Sequence, residues 1–169
     1  MEVRLAKDGD APVIAEVHVA SWQGAYRGLL PDEFLDGLNV ERRAQWWTQA
    51  INDPEIDVFV SLDDAGRIVG FASVQKSRDP DAPEGTGELT TIYVLPEWWG
   101  RGHGRALMEA SLGRARERGF GRVTLWVLNT NQRARRFYEK AGFTTDGAQK
   151  SEAVAPHVVL EVVRYCRDL

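Results

Sequence analysis

Three alternating glycines, Gly100, Gly102 and Gly104, stand between a strand-like run and a helix-like one, and they limit the possible folds more than any other feature of the chain. Ahead of them Leu89, Thr90, Thr91, Ile92, Tyr93 and Val94 mix branched and small polar residues in the manner of a strand. Pro96 stops that strand because it has no amide hydrogen to give a ladder. Behind the glycines Arg105 opens a segment whose Leu107, Met108, Ser111, Leu112 and Ala115 fall on one helical face. The expected order is strand, glycine loop, helix. Such a loop aims backbone N–H groups, clear of side chains, at one point beside a helix N-terminus, where the helix dipole adds partial positive charge. The surroundings agree: Trp98 to Lys140 holds ten basic residues, nine of them arginine, against Glu109, Glu117 and Glu139, in a chain of net charge −4. The expected guest is an anion, a phosphate or pyrophosphate.

The dinucleotide and nucleoside-triphosphate loops do not fit. The first needs a third glycine where Arg105 stands and an acidic residue at the end of the next strand; the second needs Gly-Lys-Ser/Thr, which the chain lacks. Gly-x-Gly alone is more often a plain turn, so the weight falls on the residues downstream of the loop. Gly119 and Gly121 bracket a helix stop, and Val123, Leu125 and Val127 alternate with Thr124 and Trp126 as a strand. Next, Asn129 or Asn131 supplies a helix N-cap, and Ala134, Phe137, Tyr138 and Ala141 form one apolar stripe. Gly142 ends that helix as a left-handed residue.

With these residues in view, the chain resembles the GCN5-related N-acetyltransferase family. The likeness rests on the strand beginning at Glu88, the R-G-x-G-R-A-L loop from Arg101 to Leu107, and N-x-x-A-x-x-F-Y-x-K-x-G-F from Asn131 to Phe143. It implies acetyl-CoA as donor co-substrate, its pyrophosphate held by the backbone of Gly100, Arg101, Gly102, His103, Gly104, Arg105 and Ala106. The pantetheine arm would run beside Ile92, Tyr93 and Val94 like an added strand. Tyr138, seven residues after Asn131, takes the family position of the tyrosine that approaches the sulfur and serves as acid; Asn131 orients the cofactor and Lys140 reaches a CoA phosphate. Glu88 is the implied base, acting through water at the acceptor, and a backbone N–H near Val94 receives the oxyanion. Two positions depart from the family pattern. Trp99 stands where a Gln or Arg usually opens the loop, and Trp126 where some members carry a base. The implied activity is transfer of an acetyl group to a primary amine of a small molecule or peptide, by direct attack in a ternary complex. A non-catalytic acyl-CoA-binding module of the same fold is the alternative.

Other parts of the chain fill out the expectation. Val3 and Leu5 form a first strand, and Asp8-Gly9-Asp10 gives a turn and an N-cap for a helix that frays near Gly24. A short helix from Pro31 or Asp32 and another over 40–50 come after it. The stretch from Ile14 to Leu38 resembles members related to polyamine acetyltransferases, which makes Trp22 and Tyr26 candidate acceptor contacts, with Asp32, Glu33 and Asp36 able to attract a cation. Strands are expected at 56–62 and 68–76 around an Asp64-Ala65-Gly66 turn, then at 144–148 and 158–164. The resemblance implies an α/β fold: a mixed, mostly antiparallel sheet of about seven strands with about four helices. The length suits a single domain over 1–169. Cys166 is the only cysteine, and His18, His103 and His157 have no ligand spacing, so no metal is expected. The acidic balance and the lack of a long apolar run argue against nucleic-acid or membrane partners and for a cytoplasmic protein. Family members often form dimers, so a homodimer is among the assemblies open to it.

Overall fold

In the computed structural model, which describes residues 1–169, one sheet runs through the whole chain. The elements are β1 (Glu2–Leu5), α1 (Ala11–Tyr26), α2 (Asp32–Asp36), α3 (Val40–Asn52), β2 (Ile56–Leu62), β3 (Ile68–Lys76), β4 (Thr86–Val94), α4 (His103–Glu117), β5 (Arg122–Leu128), α5 (Gln132–Lys140), β6 (Thr144–Ala155) and β7 (Val158–Asp168), with a 3₁₀ turn at Pro96–Trp98. The strand order is β1-β2-β3-β4-β5-β7-β6, and only β4 and β5 run parallel. The expected mixed, mostly antiparallel sheet of seven strands is present, with five helices rather than four.

Strand alternation sends side chains to two layers. Phe59, Ala72 and Val74 meet Leu107, Met108, Leu112 and Ala115 of α4 on one face, where α5 also packs. Val58, Val60 and Phe71 meet Ile14, Val17 and Trp47 of α1 and α3 on the other. Near the centre of the second layer lies His18, whose Nδ1 accepts a hydrogen bond from Trp47 Nε1 at 3.1 Å. Burial, and then the charge of Arg43, lowers its pKa from the ordinary 6.5 to about 3. The ring is therefore neutral in the folded protein at pH 7 but protonates freely in the unfolded chain below about 6.5. Stability from this source is complete above that pH and is drawn down as pH falls toward 3, by up to about 1.4 kcal/mol per unit. Urea unfolding at pH 5 should show about 2 kcal/mol less stability than at pH 7 from this group alone, and the pH slope should shrink in His18→Gln. An unchanged slope in that variant would place the acid sensitivity elsewhere.

Three local expectations need correction. Asp10 precedes α1 but does not cap it with its side chain; the carboxylate is taken by Arg4 (2.6 Å) and the Lys7 amide (2.9 Å) instead. Helix α1 continues past Gly24 to Tyr26, because Gly24 lets it pass so close to Pro96 that an added Cβ would lie 2.3 Å from the proline Cγ. Strands β6 and β7 extend to Ala155 and Asp168. Most of β6 is an exposed edge, so it carries no apolar alternation, and Gly147 at φ 86° breaks its register between Thr145 and Gln149.

The feature that positions a site is a split in the sheet. β4 pairs with β5 only from Thr86 to Glu88; beyond that β4 stays with β3 and β5 with β7, leaving a wedge between them. A bulge at Thr90 bends β4 where the wedge opens, with the Ser73 hydroxyl 2.5 Å from Thr90 Oγ1 and 2.6 Å from Thr91 Oγ1.

Candidate active site

The wedge leads into a cavity of about 610 Å³, a volume suited to a cofactor-sized ligand. Its outer end is the glycine loop. Gly100 and Gly102 take positive φ (75° and 91°), conformations that favour glycine, and they turn the chain into α4. As a result the amides of Gly100, Arg101, Gly102, His103, Gly104 and Arg105 donate to no backbone or side-chain group of the chain. Ala106, included in the expected cradle, has its amide committed to the Gly102 carbonyl at 3.0 Å. Six consecutive unused donors at a helix N-terminus form a site for a polyanion.

Along the wedge, β4 shows an unpaired edge. Leu95 donates to Val69 of β3 at 2.9 Å, so alternation turns the amides of Ile92 and Val94 to the open side. Trp99 explains its own departure from the family pattern there: its indole N–H donates to the Val94 carbonyl at 2.7 Å, tying the loop to the strand end. The Arg133 guanidinium lies 3.2 Å from the centre of the Trp99 ring, facing the same cavity and without a carboxylate partner.

The inner end gathers three phenols. Tyr138 of α5, Tyr93 of β4 and Tyr26 of α1 all line the cavity. Burial, then the neighbouring Tyr93, raises the Tyr138 pKa well above the ordinary 10; burial, then Tyr93 and Tyr138, does the same for Tyr26. All three hydroxyls thus stay protonated at neutral pH, as hydrogen-bond donors. Asn131 also lines the cavity; its Oδ1 caps α5 through the Ala134 amide at 3.1 Å, and its Nδ2 makes no bond within the chain.

Of the expected site residues, Ile92, Tyr93, Val94, Gly100, Gly102, Gly104, Arg105, Asn131, Tyr138 and Tyr26 share this cavity. The side chains of the others lie elsewhere. Arg101 rests on the Trp98 ring at 4.9 Å. His103 is buried, its Nδ1 2.7 Å from the Ser61 hydroxyl, so only its amide faces the cradle. Lys140 and Trp22 do not line the cavity. Glu88 lines a second cavity of about 470 Å³ beyond Trp126, whose ring borders both. Its carboxylate is buried and accepts from the Arg78 amide and Nε (both 3.1 Å) and Nη2 (2.8 Å). Trp126 is itself tied down, its indole N–H shared between the oxygens of Asp79 at 3.0 and 3.1 Å.

Some lining residues were not foreseen: Ser21, Gly24 and Ala25 of α1, and Gln132 and Arg133 of α5. Arg133 left a signal in the sequence, being a cation in the first turn of a helix, where the dipole disfavours it unless an anion is near. Gly24, a glycine inside a helix, was the mark of close approach.

A split sheet with an unpaired strand edge, a polyanion cradle at one end and protonated donors at the other defines an acyl-carrier-binding fold of the acyltransferase type. The comparisons with known proteins agree. The model of the acetyltransferase (GNAT) family matches residues 19–143. An uncharacterized N-acetyltransferase of Bacillus subtilis, YuaI, is 37% identical over 76% of this chain and 72% of its own length. An uncharacterized N-acetyltransferase of Mycobacterium bovis, Mb2688, is 35% identical over 86% of the chain and 80% of its own length. Among solved structures, the PaiA N-acetyltransferase of Thermoplasma acidophilum in complex with coenzyme A superposes with a TM-score of 0.80 at 18% identity, over the whole of both chains. The chain belongs to the GNAT family of N-acetyltransferases. No helix is long and apolar enough to cross a membrane, and no group of His, Cys, Asp or Glu is placed to hold a metal ion.

Proposed function

We propose that the protein transfers the acetyl group of acetyl-CoA to a primary amine of a small molecule or peptide, by direct attack while both are bound. The row of six unused amides from Gly100 to Arg105 carries this reading, since nothing else in the chain satisfies them. Relatives in fold were solved with coenzyme A and, for yncA of Salmonella typhimurium (TM-score 0.74, 24% identity), with its cofactor acetyl-CoA. In this chain the pyrophosphate lies on those amides, with Arg133 beside it, and the pantetheine amides pair with the free edge at Ile92 and Val94. The thioester then reaches the three tyrosines.

In the reaction the amine nitrogen attacks the thioester carbon, negative charge gathers on the oxygen beside a backbone N–H of the open β4 edge that the pantetheine leaves free, and the carbon–sulfur bond breaks. Tyr138 donates a hydrogen bond to the sulfur as charge develops there. Burial opposes its ionisation, so the phenol stabilises the thiolate in place, and the proton lost by the nitrogen balances the one the thiolate finally takes. Glu88 draws the amine proton through water from the second cavity. Glu88→Gln keeps one acceptor oxygen for the Arg78 amide and Nε, loses the bond from Nη2, and cannot take a proton. It should lower kcat/KM by about 10²-fold at pH 7, with the deficit shrinking as pH rises and solution ionisation supplies free amine. A deficit constant across pH would give Glu88 a purely structural role.

The reading is tested by a thiol-release screen over amino acids, polyamines, aminoglycosides and peptides with acetyl-CoA present. Release of CoA that requires one class of amine supports it. Acetyl-CoA binding with no acetyl transfer to any amine would favour the binding-module alternative.

A further inference from the structure

Beside the inner end of the cavity, three donors converge with no acceptor among them. The Trp47 indole N–H can only donate, so its bond to His18 Nδ1 at 3.1 Å fixes the proton of the neutral imidazole on Nε2. Nε2 in turn lies 3.3 Å from Arg43 Nη1, another group that can only donate. The two face each other donor to donor. Arg43 is partly buried between α1 and α3 and donates to no oxygen of the chain, whereas the partly buried Arg4, Arg114, Arg118 and Arg164 pair with carboxylates and the partly buried Arg135 and Arg167 donate to neutral oxygens. The guanidinium rests 5.2 Å from the centre of the Trp22 ring, and the buried Trp22 Nε1 makes no hydrogen bond of good geometry, although the Tyr93 hydroxyl lies beside it as an acceptor. Burial without an acceptor is unfavourable for the Trp22 and His18 nitrogens, while the other guanidinium nitrogens of the partly buried Arg43 keep access to solvent. An anion is what all three lack.

The cluster adjoins the acceptor end of the site. His18 stacks on Tyr93 (ring centres 5.3 Å apart, planes at 21°), and Trp22 packs on Tyr26 at 4.9 Å. Both tyrosines line the reaction cavity. The acidic groups nearby already face other cations: Glu152 pairs with Lys150 at 2.9 Å and Glu88 with Arg78. We infer that Arg43, His18 Nε2 and Trp22 Nε1 form a carboxylate site, and that the acceptor is an amine that also carries a carboxylate, as amino acids do. This rests on the acetyltransfer reading and deepens it. It also turns away from the polyamine class suggested by the N-terminal stretch, because a second cationic group would meet the unpaired guanidinium.

The test measures binding and turnover separately. The probes are the twenty common amino acids, their carboxamides, and spermidine, each titrated by thermal shift and calorimetry against the protein saturated with unreactive CoA. At least one free amino acid should bind at least tenfold more tightly than its carboxamide and than spermidine. Arg43→Gln should weaken that binding at least tenfold and abolish the preference over the carboxamide, while Arg43→Lys, which keeps the charge, should retain part of it. In turnover, KM for the amino acid should rise in Arg43→Gln with KM for acetyl-CoA unchanged. Three results overturn the inference: no amino acid binding, equal binding of acid and amide, or stabilisation by sulfate equal to that by any amino acid. The acetyl-CoA-dependent thermal shift of the unaltered protein reports on the donor site alone, so its loss would count against the acetyltransfer reading and not against Arg43. Should Arg43→Gln fold poorly, Trp22→Phe, which keeps an aromatic ring against Tyr26 but removes the indole N–H and the smaller ring that carries it, should still weaken amino-acid binding several-fold.

Discussion

Tyr138→Phe should lower kcat by roughly 10²–10³-fold, the usual effect of losing one donor to developing charge, while acetyl-CoA affinity changes by less than about threefold. The hydroxyl is the only atom removed, and the ring keeps its place on the apolar stripe of α5 against Phe137 and Phe143. Because burial raises the pKa of the phenol, the activity of the unaltered enzyme should also show no loss from Tyr138 ionisation up to about pH 10. Pre-steady-state kinetics with saturating acetyl-CoA separates the terms. Equal losses in kcat and in acetyl-CoA affinity would mean that the hydroxyl only helps to pack the cofactor.

Gly102→Val should give the opposite split. At φ 91° a β-branched residue is strained by about 1–2 kcal/mol, and relief by rotating the peptide takes one or two amides away from the cradle. Each charge-assisted bond lost is worth about 1.5–3 kcal/mol, so acetyl-CoA should bind roughly 100-fold more weakly. At saturating acetyl-CoA, kcat should stay within a few-fold, since the three tyrosines are untouched. Equilibrium titration with CoA measures the first number and saturation kinetics the second. Unchanged affinity would mean that the cradle is not where the phosphates lie.

How far the chain disclosed this arrangement differed from one part to another. The loop, α5 and Asn131 were legible because each leaves a local mark: glycines where φ must be positive, a cap residue before a helix, an apolar stripe at helical spacing. Strands β2 and β3 were legible for the same reason, since their buried residues crowd together around a turn. Placement of Glu88 was not. Its neighbours in sequence suit a strand facing the cofactor, but the bulge at Thr90 shifts the alternation, and the carboxylate emerges on the far side of Trp126 with Arg78. His103 shows the limit of reading a loop by composition, because its amide and its side chain face opposite ways. Arg43 was invisible in sequence. An arginine on a helix is ordinarily solvated, and only the meeting of α1 with α3 shows that this one has no partner.

A crystal structure of the protein with acetyl-CoA tests the central claim most directly. Pyrophosphate oxygens should lie within hydrogen-bonding distance of the amides between Gly100 and Arg105, pantetheine against the β4 edge at Ile92 and Val94, and the thioester sulfur next to the Tyr138 hydroxyl. A cofactor bound elsewhere, or one whose phosphates bypass those amides, would contradict it.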